Sequence, residues 1–404
     1  MTMILEGIRV IDWTQWQMGP VASSMLGDLG ADVIKIENNV TGDEARGVMK
    51  ISSSATGIAG DRNFFFEFTN RNKRSLTLNL KSEKGKEIFR QLIKISDVFI
   101  QNFRVGVAER LGIGYEELQK INPRLIYANA SGFGPNGPDS GDPSYDLLGQ
   151  ARSGFMTTLG EPDMPPLTSA SPIADQIGAI MLAYGVLAAI IARERHGIGQ
   201  QVDASLLSGM MWLQHNNYAA KLILGQEFPR RKRREVGNPI YNYYKCSDGK
   251  WIMLGNMQPD RYWSVFCKTM GIENLEKDAR FIDMNVREKH AAELIDILDK
   301  LFATRTRDEW VKMLREKDIL CTPINTISEA VDDPQVQANQ YIVDFEHPVL
   351  GKTRVLNVPV QFSKTPGSIR REAPEFGQHT EEILIDLLGY DWEQIRQLKD
   401  EGII

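Results

Sequence analysis

The chain has 404 residues, and its 47 lysines and arginines against 53 aspartates and glutamates give a formal charge of −6. That length suggests two or three domains, or one large unit with an insertion, and 42% hydrophobic with 25% charged residues excludes a disordered or collagen-like chain. The acidic balance leaves no global field to gather nucleic acid, and three scattered cysteines without CxxC spacing exclude a disulfide framework.

In chain order, Gly7–Asp12 reads as a strand, Pro20–Leu29 as a helix stopped by Gly30, and Ala31–Ile36 as a second strand. Alternation at Ser75–Leu80 predicts a third strand, and Ser82 starts a helix through Ile95. Asp97–Ile100 is a further strand, and short helices at Val105–Leu111 and Tyr115–Ile121 lead to another at Leu125–Ala130. Strands alternating with helices of this size predict an α/β fold with a mainly parallel, Rossmann-like sheet. A long helix from Ile173 to Arg195, ended by His196-Gly197, packs onto that sheet. Its uncharged run, Gln176–Ala192, has 17 residues rich in Ala and Gly. A membrane span needs about 20 apolar residues, so a buried core helix and no membrane are expected.

Composition changes near residue 225. Tyr241–Leu254, with a Ser247-Asp248-Gly249 turn, predicts a β-hairpin, and helical patterns follow at Arg261–Met270, Val286–Phe302 and Thr306–Lys317. The expected division is a large domain in two parts, 1–205 and 345–404, linkers at 206–224 and 331–344, and a smaller α+β domain at 225–330. The second part of the large domain carries a strand at Thr353–Val358 and helices at Thr380–Leu388 and Trp392–Lys399. The N-terminal stretch has no basic patch before an apolar core, so no signal peptide is expected. With the sparse cysteines, this reads as a cytoplasmic protein.

Several tempting motifs fail on context. Gly132-Phe133-Gly134-Pro135-Asn136-Gly137 matches GxGxxG after a strand, but Pro135, Pro138 and Pro143 cannot open the helix that a dinucleotide site needs. Tyr241–Lys245 has YxxxK spacing on a β-like segment, where the two side chains do not share a helical face. The basic run Arg230–Arg234 reads as a solvated linker. The histidines show no metal-ligand spacing, so no metal site is expected, and none lies in the first 195 residues. No GxSxG elbow or P-loop occurs, which leaves carboxylate chemistry for the N-terminal sheet. Asp175 stands in the first turn of the long helix, where the dipole favours an ionised carboxylate and the following apolar residues form a low-dielectric wall. Position alone leaves it open between a helix-terminal acid and a nucleophile.

Three groups of segments, in order, resemble the class III CoA-transferases, the family of formyl-CoA and carnitine CoA-transferases. They are Leu5–Asp12, Gln17–Pro20 and Leu29–Glu37; Asn72–Ser75, Leu78–Lys81, Gln101–Phe103 and Arg110; and Ser131–Gly134, Tyr145-Asp146, Gln150-Ala151, Ser153-Gly154 and Ala174-Asp175. Gly377–Thr380 with Leu388-Gly389 is similar to the family's ending, so the likeness spans nearly the whole chain. The resemblance implies that Asp175 is the nucleophile, forming acyl anhydride and aspartyl-CoA thioester intermediates, with Gln17 donating to the oxyanion. Tyr145 stands where the racemase branch has a histidine base, which favours transfer over α-methylacyl-CoA racemisation, and Asp146 takes a supporting role. Met18, Leu78, Asn79, Leu80, Lys81, Asn102, Phe103 and Arg110, with Gln17, would line the CoA site, while the family's adenine-side arginine falls at Asn38.

By the same resemblance CoA thioesters are substrates and no cofactor is tightly bound. The partners are an acyl-CoA donor and a carboxylic acid acceptor, and the chain forms an interlocked homodimer or pairs with a related chain. The glycine run of the formyl-CoA branch has no counterpart between Gly225 and Gly255, which points to an acid larger than formate or oxalate. A non-catalytic CoA-binding subunit is the remaining alternative.

Overall fold

The computed structural model describes residues 2–51 and 53–404. Six strands, β1 (Arg9–Trp13), β2 (Asp32–Glu37), β3 (Lys73–Thr77), β4 (Val98–Gln101), β5 (Ile126–Ser131) and β6 (Gln200–Ser205), form one sheet in the order β6-β5-β4-β1-β2-β3. All its pairings are parallel, with Ile11 of β1 opposite Ile34 of β2 and Phe99 of β4. Parallel strands covered on both faces must be apolar on both, and β1, β2 and β4 carry Val, Ile and Phe accordingly. Five helices are central: α1 (Met18–Asp28), α2 (Glu83–Lys94), α3 (Asp146–Arg152), α4 (Ile173–His196) and α5 (Leu206–Leu213). One face of the sheet packs its Val10, Val33, Ile100 and Ala128 against Leu26 of α1 and Leu182 and Val186 of α4. The other packs Ile11, Ile34 and Phe99 against Phe89 and Leu92 of α2 and against the C-terminal Ile383, Leu384 and Ile395.

This order reverses between β1 and β4. Loops leaving the carboxyl ends of those two strands diverge to opposite faces, opening a crevice where ligands bind in doubly wound folds. Small residues bring α4 close to that crevice. A Cβ on Gly178, one turn beyond Asp175, would stand 3.0 Å from the sulfur of Met18, so a larger residue there would have to push that side chain aside.

The chain packs as two units. The larger takes residues through Thr157, Thr168–Glu227 and Gln340–Ile404; the smaller takes Thr158–Leu167 with Phe228–Asn339. The smaller contains an antiparallel sheet of β7 (Tyr243–Lys245), β8 (Trp251–Leu254) and β9 (Cys321–Ile324) in that order. Its core joins Tyr244, Trp263, Phe266, Phe302 and Trp310. In the larger unit, β10 (Ile342–His347) and β11 (Gly351–Leu356) form a separate hairpin.

Several expectations need correction. The edge strand β6 was not foreseen: Gln200, Gln201 and Asp203 make it polar, because only its last residues are buried. Residues 206–224, expected as a linker, are helical in α5 and in Leu206–Leu224 generally, with a π-turn at Ala220–Leu224. Residues 331–344, also expected as a linker, contain a helix at Pro334–Ala338 and the start of β10. The single helix expected at 286–302 breaks at His290, which has ψ 19° between helices Met284–Lys289 and Ala291–Phe302. The basic run is not a solvated linker. Lys232 pairs with Asp163 at 2.6 Å, Arg233 and Arg234 with Asp299 and Asp296, and Arg230 donates to the Leu159 carbonyl at 3.1 Å.

Candidate active site

Two adjoining cavities open at the carboxyl ends of β1 and β4. The first, about 190 Å³, is lined among others by Trp16, Gln17, Met18, Asn102, Phe103, Ser144, Tyr145 and Asp175. The second, about 230 Å³, is lined by Trp13, Asn38, Leu78, Leu80, Lys81, Phe103 and their neighbours. Phe103 belongs to both walls, and its ring stacks on Trp13 with centroids 4.0 Å apart.

Asp175 is the half-buried carboxyl of the first cavity. Burial, reinforced by the nearby Asp146, raises its pKa to about 7. The dipole of α4 by itself would favour the anion. Its weakness lies in the helix end itself, because the local N–H groups are already engaged. Asp146, at the start of α3, accepts from the backbone N–H of Ala174 at 2.6 Å and of Asp175 at 3.1 Å through Oδ1. Gln150 donates to its Oδ2 at 2.6 Å and itself accepts from the Ser169 N–H at 2.9 Å. Asp146 therefore lines neither cavity; it ties α3 to the first turn of α4 and fixes where Asp175 points.

Gln17 caps α1 and is 2% exposed, yet among the described residues its Nε2 has no hydrogen-bond partner. The loop before it is held from three sides. Asn102 accepts from the Gln15 N–H at 2.8 Å and donates to the Gln15 carbonyl at 2.6 Å. Asp43 accepts from the Trp16 N–H at 3.2 Å and pairs with buried Lys35 at 2.8 Å, and Lys35 donates to the Thr14 carbonyl at 2.8 Å. Trp16 sits at φ 66°, in the left-handed region that non-glycine residues occupy only when their surroundings enforce it. Beneath the loop, buried Lys73 reaches Asp12 at 2.8 Å. Burial, offset in part by Asp12, lowers its pKa to about 8. β3 begins at Lys73, two residues before the start expected at Ser75.

The other expected residues divide. Gln17, Met18, Tyr145 and Asp175 share the first cavity with Asn102 and Phe103, and the edge of Trp16 meets the Tyr145 ring at 5.9 Å. Leu78, Leu80, Lys81 and Asn38 share the second. Asn38 spends its carbonyl oxygen on the Val40 and Thr41 N–H groups at 2.9 and 3.0 Å. Asn79 lines neither cavity: its Oδ1 accepts from the Lys81 N–H at 3.1 Å in the turn entering α2. Arg110 is exposed on the helix Val107–Leu111 and also lies outside both. The loop Gly132–Gly137 runs on without opening a helix; the next begins at Asp146. Sequence reasoning missed Ser144, Asp43 and Lys35, whose placement depends on contacts between distant segments.

The model of CoA-transferase family III matches residues 5–380. The chain belongs to that family. Among family III relatives, an acyl-CoA transferase of Fusarium pseudograminearum is 35% identical over 99% of this chain and 88% of its own length. The succinyl-CoA:glutarate CoA-transferase of Mus musculus is 33% identical over 99% and 90%. A CAIB/BAIF family protein from Brucella suis superposes with a TM-score of 0.83 at 29% identity, covering 96% of this chain and all of that one. This family III member is accordingly an α/β enzyme of the transferase class.

Proposed function

We propose that this chain moves CoA from an acyl-CoA donor, such as succinyl-CoA, to a larger organic acid, with Asp175 carrying the covalent intermediates. One observation supports this above all: the Asp175 carboxyl and the unpartnered Gln17 amide line one cavity at the strand-order reversal. A carboxylate attacks a thioester well only where water is excluded and the developing oxyanion has a donor. An Asp175 oxygen attacks the donor's carbonyl carbon, and the displaced electron pair rests on the acyl oxygen beside Gln17 Nε2. Collapse breaks the C–S bond, giving a mixed anhydride and CoA thiolate. The thiolate then attacks the Asp175 carbonyl, releasing the donor acid and leaving an aspartyl-CoA thioester. Attack by the acceptor carboxylate and return of the thiolate give the new acyl-CoA and restore Asp175.

Tyr145, in place of the histidine of the racemase branch, supports transfer over racemisation. The second cavity suits the nucleotide end of CoA: Leu78, Leu80 and Phe103 provide apolar walls and Lys81 a cation at the rim. With succinyl-CoA offered against a panel of carboxylic acids, a new acyl-CoA mass is expected with an acid larger than oxalate; hydrolysis of the donor as the sole reaction contradicts transfer.

The same reading extends to a homodimer. Ile180, Tyr184 and Ile191 leave an apolar stripe on the outer face of α4, and beyond α5 Leu222 and Ile223 are 81% and 79% exposed. Exposed apolar surface of this extent marks a protein contact. Light scattering is expected to give twice the chain mass, and a monomer at micromolar concentration contradicts it.

A further inference from the structure

The first cavity holds a second unpartnered donor. Ser144 lines it together with Gln17 and Asp175, and its Oγ, like Gln17 Nε2, is buried without a hydrogen-bond partner among the described residues. Buried hydroxyls are normally bonded, and leaving one unpaired is costly. The fold makes room for this one specifically. A Cβ on Gly132, at the end of β5, would stand 2.2 Å from Ser144 Cβ and 2.8 Å from its Oγ. Glycine at 132 is thus what lets the serine side chain occupy this place.

We propose that the Ser144 hydroxyl is a catalytic residue, a second hydrogen-bond donor to the acyl oxygen that becomes an oxyanion when Asp175 attacks. This rests on the reading of Asp175 as nucleophile and adds to it. An oxyanion carries more than one lone pair, so a side-chain amide and a hydroxyl reaching it from different loops act together. As the C–O bond to Asp175 forms and the carbonyl electron pair moves onto oxygen, both donors shorten onto it; neither proton is transferred. When the pair returns and the C–S bond breaks, the thiolate leaves and the donors relax.

The test compares wild type with Ser144→Ala and Gly132→Ala, measuring steady-state kinetics and the single-turnover rate at which donor thioester acylates the Asp175 peptide. Ser144→Ala is expected to lower kcat and the acylation rate about 100-fold, the scale of losing one oxyanion donor, with KM for the donor little changed. Gly132→Ala displaces the same hydroxyl and is expected to lose a similar factor, with no further loss in the double variant. If Gly132→Ala does not fold, Ser144→Ala decides alone. Acylation at the wild-type rate in Ser144→Ala overturns the proposal, as does a loss confined to KM. Wild type that never acylates Asp175 overturns the nucleophile reading itself, a separate result.

Discussion

Asp175→Asn is expected to lower transfer on the order of 10⁴-fold or more, while the variant melts at a higher temperature than wild type at pH 8. Both effects have one origin. Burial and the neighbouring Asp146 raise the Asp175 pKa to about 7 from an ordinary 3.8. In the unfolded chain the carboxyl ionises near its ordinary value, so the folded state binds the proton more tightly. Ionised Asp175 therefore costs stability above about pH 7, the cost fades as pH falls below 7, and it is absent below about 4. Asparagine removes that charge while retaining the shape, so the gain in melting temperature is expected at pH 8 and shrinks toward pH 4. In wild type the same titration governs rate: kcat/KM is expected to rise tenfold per pH unit below about 7 and then level. CoA thioester binding by Asp175→Asn, measured calorimetrically, is expected to persist. Activity that survives the substitution would return Asp175 to the role of a helix-terminal acid.

Gln17→Ala carries the second largest expectation, a fall in kcat of about 10²–10³ with KM little altered. The amide is buried with an unpartnered Nε2, so its removal relieves an unsatisfied donor and is expected to leave the melting temperature equal or slightly higher. That combination, a large kinetic loss without destabilisation, distinguishes a donor reserved for the transition state from a packing residue. The surrounding loop is built to hold it. Asp43, Lys35 and Asn102 fix the backbone of residues 14–16, including the left-handed Trp16, at a cost of order 1–3 kcal/mol for that conformation. Equal losses in kcat and melting temperature would instead describe a structural glutamine.

Much of the fold was legible because the parallel strands are buried on both faces and their apolar runs are unambiguous. Ile11, Ile34 and Phe99 announce β1, β2 and β4, and Ser82 and Gly197 cap α2 and α4 where local chemistry demands. Less legible were elements whose identity depends on tertiary partners. Polar β6 is a strand because β5 pairs with it along its whole length, and β3 begins at a lysine because Asp12 lies within reach. The same division holds at the site. Asp175, Gln17 and Tyr145 were found through ordered motifs. Asp146, however, supports by capping α4, and Ser144 has no motif of its own between Pro143 and Tyr145. What marks Ser144 is an unpaired oxygen in a cavity wall, visible only once Gly132 is folded against it.

The covalent role proposed for Asp175 is tested most directly by incubating the protein with donor thioester, trapping with hydroxylamine or borohydride, and reading peptide masses. A mass change confined to the peptide carrying Asp175, and missing from Asp175→Asn, is the predicted result; a change on any other peptide, with Asp175 unmodified, contradicts the account.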